Sequence, residues 1–394
     1  MLSATLVLAL GSFAPVQAQH ASAPETALTA WTGVADAWEE RVMTGGVVGS
    51  SIAWLHGGEL HDLRTHGLAD VEASRPVTDR TIYHWASITK TMTAIGIMQL
   101  RDDGHIDLDD PIVDYVPELR GVHNPFGSME EITIRHLLSH SAGFRGGTWP
   151  YAGGEAWHPH EPTEWSQLVS MVPYTEIHFE PGSRYAYSNP GIIFLGRVIE
   201  AVSGDVFEAY VDKNIFSPLG MRESYFDGTP RPLREHRSNH YSVVDGTPVA
   251  GGLDFNTGIT VSNGGLNAPL TDMAKYFAFL SGHGDHAVHA SVLDRASLEE
   301  MWEPVVPMGE NPMGDAFMGL SFFLYDLDGH RVVGHTGTQR TFYSFFVMDR
   351  ASGSVVFAAF NTGGSGGGMP DTNDIRVSVS EQVVRTLFPE LRGG

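Results

Sequence analysis

The sequence predicts a mixed α/β (α+β) protein, an antiparallel sheet flanked by helices and joined to a mostly helical second lobe. Three observations carry this expectation. β-rich runs sit near both ends of the chain, at 47–55 and 60–68 and again at 331–334, 341–348 and 354–360. The stretch between, from 107 to 214, reads as helices and loops. A helical pattern opens the chain and another closes it. Strands at opposite ends bury their apolar faces together most simply in one sheet, with the middle of the chain inserted as a lobe. This places residues 19–105 and 255–394 in a discontinuous α/β lobe and 106–254 in a mostly helical insertion lobe.

Each element has a local reason. Leu28, Trp31, Val34, Trp38 and Val42 recur at spacings of three and four, which predicts a helix over 27–43 that Gly45-Gly46 ends. Gly57-Gly58 is a hairpin turn between the first two strands. The segment 87–100 is rich in Ile, Met, Ala and Thr on all sides, the mark of a buried helix, and Gly104 closes it. Short helices follow at 134–140, stopped by Gly143, and at 191–203, stopped by Gly204. Asp349 to Gly353 supplies the turn between the last two strands, and a helix over 374–387 follows a glycine-rich linker. The sequence has no internal repeats.

Composition narrows the function. The 394 residues are 42% hydrophobic and 18% charged, which is globular. With no cysteine, disulfides, thiolate catalysis, zinc–thiolate sites and iron–sulfur clusters are excluded. A net charge of −23 repels nucleic acid and anionic lipid, so neither is an expected partner. Residues 2–16 are apolar and uncharged, and Val16-Gln17-Ala18 reads as a small-x-small cleavage site before Gln19. This predicts a signal peptide over 1–18, lacking the usual basic residue, and a periplasmic or secreted protein. No later apolar run reaches the ~18 residues of a membrane span.

The chemistry begins at Ser87-Ile88-Thr89-Lys90. A serine hydroxyl is a poor nucleophile until a base takes its proton, and residues three apart share one helix face, so Lys90 can present its amine to Ser87. At a helix start, Ser87 also offers an unpaired backbone N–H and the positive dipole end to an oxyanion. Lysine occurs only at 90, 213 and 275, and the apolar surroundings of Lys90 argue against a solvated ammonium. Tyr187-Ser188-Asn189 brings a phenol able to move protons and an amide able to bind a substrate amide or the lysine. His335-Thr336-Gly337-Thr338 ends a late strand. Its glycine lets a substrate lie alongside, its His and Thr side chains face the reacting group, and the Thr338 N–H completes an oxyanion hole with that of Ser87. Taken singly, each motif has an ordinary alternative: a helix cap, a buried aromatic with a turn asparagine, a strand end.

Their order and spacing together resemble the class C β-lactamase and serine DD-peptidase superfamily, penicillin-binding-protein-like serine hydrolases that also include family VIII carboxylesterases. His84 to Lys90, Ile134-Arg135-His136-Leu137-Leu138-Ser139-His140-Ser141-Ala142-Gly143, and Pro181-Gly182 through Asn189 strengthen the resemblance, which covers residues 30–387. It implies a β-lactamase/transpeptidase-like fold in which Ser87 attacks a carbonyl and Lys90 and Tyr187 move its proton. It further implies that Asn189 orients the acyl side and that the Ser87 and Thr338 N–H groups hold the oxyanion. His335 stands where many β-lactamases carry lysine, and His-Thr-Gly-Thr looks more like a secreted DD-peptidase whose threonines bind a terminal carboxylate. The catalytic set is then Ser87, Lys90, Tyr187 and His335, and the substrate-binding set is Asn189, Thr336, Gly337 and Thr338. The expected activity is D-alanyl-D-alanine carboxypeptidase-like, acting on a small-molecule or peptide substrate. Short-chain ester hydrolysis is the alternative, β-lactam hydrolysis the third, and a penicillin-binding sensor without turnover the non-enzyme reading.

Other letter patterns carry less. Gly363-Gly364-Ser365-Gly366-Gly367 matches a hydrolase nucleophile elbow but has no strand running tightly into a helix, so it reads as a linker. His283, His286 and His289, and His158 with His160, lack an acidic-His metal signature. Trp149, Tyr151 and Trp157 either line a cleft rim or pack in the core. Neither a phosphate-cradling Gly-Lys motif nor a dinucleotide fingerprint is present, and no cofactor or metal is expected.

Overall fold

The computed structural model describes residues 23–144, 162–327, 329–363 and 371–392. The leader, the 149–160 aromatics and histidines, and 364–367 of the glycine run therefore lie outside the described residues.

Fifteen strands are described. β1 (Gly49–His56), β2 (Glu59–Asp70) and β3 (Arg75–Pro76) come early. Between them and the last third lie the short β4 (Ile82–His84), β5 (Tyr225–Phe226), β6 (Tyr241–Val244), β7 (Thr247–Ala250) and β8 (Leu266–Pro269). β9 (Val306–Asn311), β10 (Gly314–Met318), β11 (Phe323–Leu327), β12 (His330–Gln339), β13 (Phe342–Asp349), β14 (Val355–Phe360) and β15 (Thr362–Gly363) follow. Nine of them form one sheet in the order β3-β2-β1-β14-β13-β12-β11-β10-β9. The two ends of the chain meet at β1 and β14, antiparallel, with Ser50 opposite Phe360 and Leu55 opposite Val355. The shared sheet expected from the two β-rich ends is present. Its hairpin turn is Gly57-Gly58, with φ of +60° and +81°, values that glycine alone adopts without strain.

Helices cover both faces. On one, Trp31, Val34, Trp38 and Val42 of the helix Glu25–Thr44 and Ile375 and Val379 of the helix Thr372–Gln382 pack on Ile52, Trp54, Phe345, Val347 and Ala358. Leu28, read as part of the inward stripe, is 44% exposed, and Ala27 and Ala35 complete the buried face instead. The other face meets a larger core, where Met92, Ile95, Ile199, Phe277, Phe346 and Phe357 belong to one cluster. The helix Thr89–Asp102 is buried from Thr89 to Leu100, as its all-round apolar pattern requires, and packs on the helix Asn189–Ser203. Residues 106–254 contain the short strands β5 to β7 as well as helices.

One detail of register positions the site. β11 pairs with β12 only from Leu327↔His330 to Phe323↔Gly334, whereas β13 pairs on to Gln339↔Phe342. His335 to Gln339 thus pair with β13 on one side and lie beyond the end of β11 on the other. The sequence placed this segment at a strand end; the strand in fact runs through it, beside β13 and past the end of β11.

Candidate active site

Ser87 lies in a single 3-10 turn, Ala86–Ile88, directly before the helix Thr89–Asp102. Ala86 has φ of +49°, strain in a residue without glycine's freedom, and it turns Ser87 out of an otherwise buried run from Thr81 to Leu100. The turn is tied to the sheet. Ser344 Oγ donates to the Trp85 carbonyl at 2.9 Å, and a Cβ at Gly337 would lie 2.2 Å from that same oxygen. Only glycine lets β12 approach the nucleophile turn so closely.

Lys90 Nζ is 3.1 Å from Ser87 Oγ and donates to the Asn263 carbonyl at 2.7 Å. The side chain is fully buried, and burial holds its pKa well below that of a free lysine. Lys213 and Lys275 both pair with aspartates; among the described residues Lys90 has no carboxylate within ion-pair distance. A neutral Lys90 keeps one N–H on Asn263 and turns its lone pair to the Ser87 hydroxyl, the arrangement of a general base. Asn263 was not foreseen, because its contribution is a backbone carbonyl that no residue type announces.

Tyr187 joins them: its phenol hydrogen-bonds with the Ser87 side chain, and the Lys90 amine lies 5.0 Å from its ring centroid. Burial raises its pKa above the usual phenol value, so it is a proton donor at neutral pH. Asn189 opens the helix Asn189–Ser203, behind the Ser188 cap, and its Oδ1 is buried with no hydrogen-bond partner among the described residues. The lysine's partner is the Asn263 carbonyl, so the Asn189 amide remains for a substrate amide.

His335 is buried, stacked on Phe323 at 4.4 Å, with its ring 6.4 Å from that of Tyr187. Nδ1 donates to its neighbour's carbonyl, that of Thr336, at 2.7 Å. Burial, with Lys90 nearby, depresses its pKa to about 3, so it is a neutral imidazole. Alternation divides the motif: His335 and Gly337 lie opposite Phe346 and Ser344, Thr336 and Thr338 opposite Phe345 and Tyr343 on the other face. The expectation that His and Thr side chains point together at the reacting group therefore needs correcting. Thr338 Oγ1 instead accepts from Arg376 Nη1 at 3.1 Å, and that nitrogen also contacts the Gly337 carbonyl at 3.1 Å. Arg376 has no carboxylate within ion-pair distance among the described residues, and no residue pattern links it to a strand 38 residues away.

The buried histidines make a pH prediction. His84 and His240, like His335, are held neutral by burial, each with its pKa depressed to about 4. Below the unfolded value of about 6.5 the unfolded chain binds these protons and the folded chain does not, so stability falls as pH drops. Near pH 5 these three groups should contribute an uptake of about three protons on unfolding, a slope of about 4 kcal/mol per pH unit. Urea unfolding at pH 6.5, 5.5 and 5 measures it.

No group of three or more His, Asp or Glu among the described residues is placed to hold a metal ion. No described helix is long and apolar enough to cross a membrane.

Comparison with known proteins agrees with this geometry. The Beta-lactamase family model matches residues 35–380. The chain is 31% identical to Esterase EstB of Burkholderia gladioli over 220 residues, 50% of this chain and 54% of EstB. It is 24% identical to Protein flp of Staphylococcus aureus (strain MW2) over 326 residues, 82% of this chain and 62% of flp. The matches thus span between half and two thirds of those relatives' lengths. Among solved structures, an octameric penicillin-binding protein homologue from Pyrococcus abyssi superposes with a TM-score of 0.75 at 27% identity, over 91% of this chain and 79% of that one. A D-stereospecific amidohydrolase from Streptomyces sp. gives 0.67 at 25%, over 88% and 97%. A class C beta-lactamase gives 0.73 at 18%, over 91% and 96%, a likeness of fold. The chain belongs to the beta-lactamase family.

Proposed function

We propose that this protein is an exported hydrolase of D-amino-acid peptides ending in a free carboxylate, of the D-alanyl-D-alanine carboxypeptidase type. The observation that carries the reading is Arg376 against Thr338. Because Thr338 Oγ1 accepts from the guanidinium, its own proton is free to donate, and a cation stands behind that donor. At the unpaired stretch of β12 this suits a terminal carboxylate. The neutral His335 adds no competing charge. The D-stereospecific amidohydrolase of similar fold supports the substrate's handedness.

In this reading the substrate lies along His335 to Gln339, with its acyl amide on Asn189. The scissile carbonyl sits between the N–H groups of Ser87 and Thr338. Ser87 Oγ attacks as its proton passes to Lys90, and the C–N bond of the tetrahedral adduct breaks as Tyr187 or Lys90 protonates the leaving amine. Water, deprotonated by the same pair, then releases the acid and frees Ser87.

Arg376→Ala is expected to raise KM for an N-acyl-D-Ala-D-Ala peptide about 30-fold, the worth of one charge-assisted contact, and to leave the C-terminal carboxamide analogue unchanged. The ratio of the two substrates isolates carboxylate recognition from general damage. A wild-type enzyme indifferent to carboxylate against carboxamide contradicts the proposal. Short-chain ester hydrolysis is the second reading, favoured by the similarity to Esterase EstB; it gains if p-nitrophenyl esters turn over and D-peptides do not. Export is tested by the N-terminus of the protein recovered outside the cytoplasm, which should be Gln19.

A further inference from the structure

We infer that His140 is a positioning residue for Tyr187, holding the phenol in reach of Ser87 and Lys90. The inference rests on the reading of Ser87, Lys90 and Tyr187 as the reacting set.

Three contacts from one residue bracket the tyrosine. The His140 carbonyl accepts the N–H of Ala186 at 2.8 Å. Its Nδ1 accepts the N–H of Ser188 at 3.1 Å. Its ring stacks on Tyr187 itself, with centroids 4.5 Å apart and planes inclined by 28°. The residues before, at and after the tyrosine side chain are thus all fixed by His140. The segment holding it is firm, since Ser139 and Ser141 join their hydroxyls at 2.8 Å and Ser141 accepts the N–H of Gly182 at 2.8 Å.

Two local costs sit at the same position. His140 has φ of +52°, a left-handed conformation that side chains other than glycine and asparagine enter reluctantly. Accepting a backbone N–H at Nδ1 fixes the neutral tautomer with its proton on Nε2, and that N–H is buried without a partner among the described residues. A glycine or asparagine would serve the turn more cheaply. Strain and an unsatisfied donor persist where the surroundings use them, and what His140 supplies here is a flat face and an acceptor, both spent on Tyr187. Displacing a phenol that shares the Ser87 proton slows proton transfer while leaving substrate contacts in place, so the effect belongs in kcat and not in KM.

The test is steady-state hydrolysis of p-nitrophenyl acetate, whose acyl transfer reports on Ser87 whichever acyl donor is physiological. His140→Ala should lower kcat about 50-fold with KM within about threefold. His140→Asn, whose Oδ1 replaces Nδ1 and which tolerates the left-handed turn, should stay within about fivefold of wild type. In a Tyr187→Phe background His140→Ala should add less than about threefold, because two residues acting through one group are not additive. If His140→Ala does not fold, His140→Gln fills the space but carries its acceptor oxygen one bond beyond the Nδ1 position, and should show the same loss of kcat. A folded Ala or Gln variant within threefold of wild type overturns the inference. So does an Asn variant as impaired as either, or effects that multiply with Tyr187→Phe. Ser87→Ala is run beside them: if it keeps full activity, the reading of the site has failed; if it is inactive while His140→Ala is not, only this inference has.

Discussion

Lys90→Met is expected to lower kcat/KM by about 10³- to 10⁴-fold, the range for removing a general base that acts as a unit with its nucleophile. The fold should barely notice. Lys90 is buried without a counter-ion among the described residues, burial holds its pKa well below that of a free lysine, and methionine fills the same unbranched space. What is lost structurally is the pair of hydrogen bonds to Ser87 Oγ and to the Asn263 carbonyl, and the buried carbonyl left unpaired costs about 1–3 kcal/mol. A spectroscopic melt within several degrees of wild type, beside the kinetic loss, separates catalysis from folding. The wild-type pH profile carries the same information. A base works only when deprotonated, so kcat/KM should fall as pH drops through the depressed lysine pKa, well below 10.5. Tyr187, raised above the ordinary phenol, stays protonated throughout. The methionine variant's residual rate should lack that acid limb.

Gly337→Ala is the second large effect, and its origin is geometric. The added Cβ would meet Trp85 O at 2.2 Å and Ser344 Oγ at 2.3 Å, and these two atoms are hydrogen-bonded to each other, so neither yields easily. β12 must back away from the nucleophile turn by about an ångström to restore ordinary contact. Misplacement on that scale costs about 10²-fold in rate, here by separating the Thr338 N–H from the Ser87 N–H. Overpacking of this kind should also lower stability by about 1–3 kcal/mol. Turnover within fivefold of wild type would mean that the strand is not placed by this contact.

The parts legible in the sequence are those written in local pattern. The opening helix, the Gly57-Gly58 hairpin, the buried helix after Ser87 and the strands beside Asp349 to Gly353 each declare themselves by periodicity or turn residues. That strands near the two ends share one sheet followed from two β-rich ends and little else; the pairing of β1 with β14 inside it had no sequence signal. β9 to β11 went unread, because Met308-Gly309-Glu310 and its neighbours form a sheet edge with little alternation, and a register shift between Ala316 and Phe317 blurs it further. In the site, Ser87, Lys90, Tyr187 and Asn189 were readable as residue types at meaningful spacing, and the structure brings the first three together. The rest was invisible for physical reasons. Asn263 acts through a backbone oxygen, Arg376 arrives from a distant helix, and His140 sat in a stretch noted only as a resemblance, with no letter showing that it would fold beneath Tyr187. Thr336 and Thr338 were named, but only strand register tells which face each takes.

The central claim is that Ser87 carries a covalent acyl group during turnover. Its most direct test is intact mass, with peptide mapping, after rapid quench of the protein mixed with excess benzylpenicillin and, separately, with p-nitrophenyl acetate. The prediction is an increase equal to one acyl group with at least one of the two reagents, confined to the peptide bearing Ser87 and absent from Ser87→Ala. Hydrolysis that proceeds with no adduct at any quench time, or an adduct mapped to another residue and retained in Ser87→Ala, would contradict it.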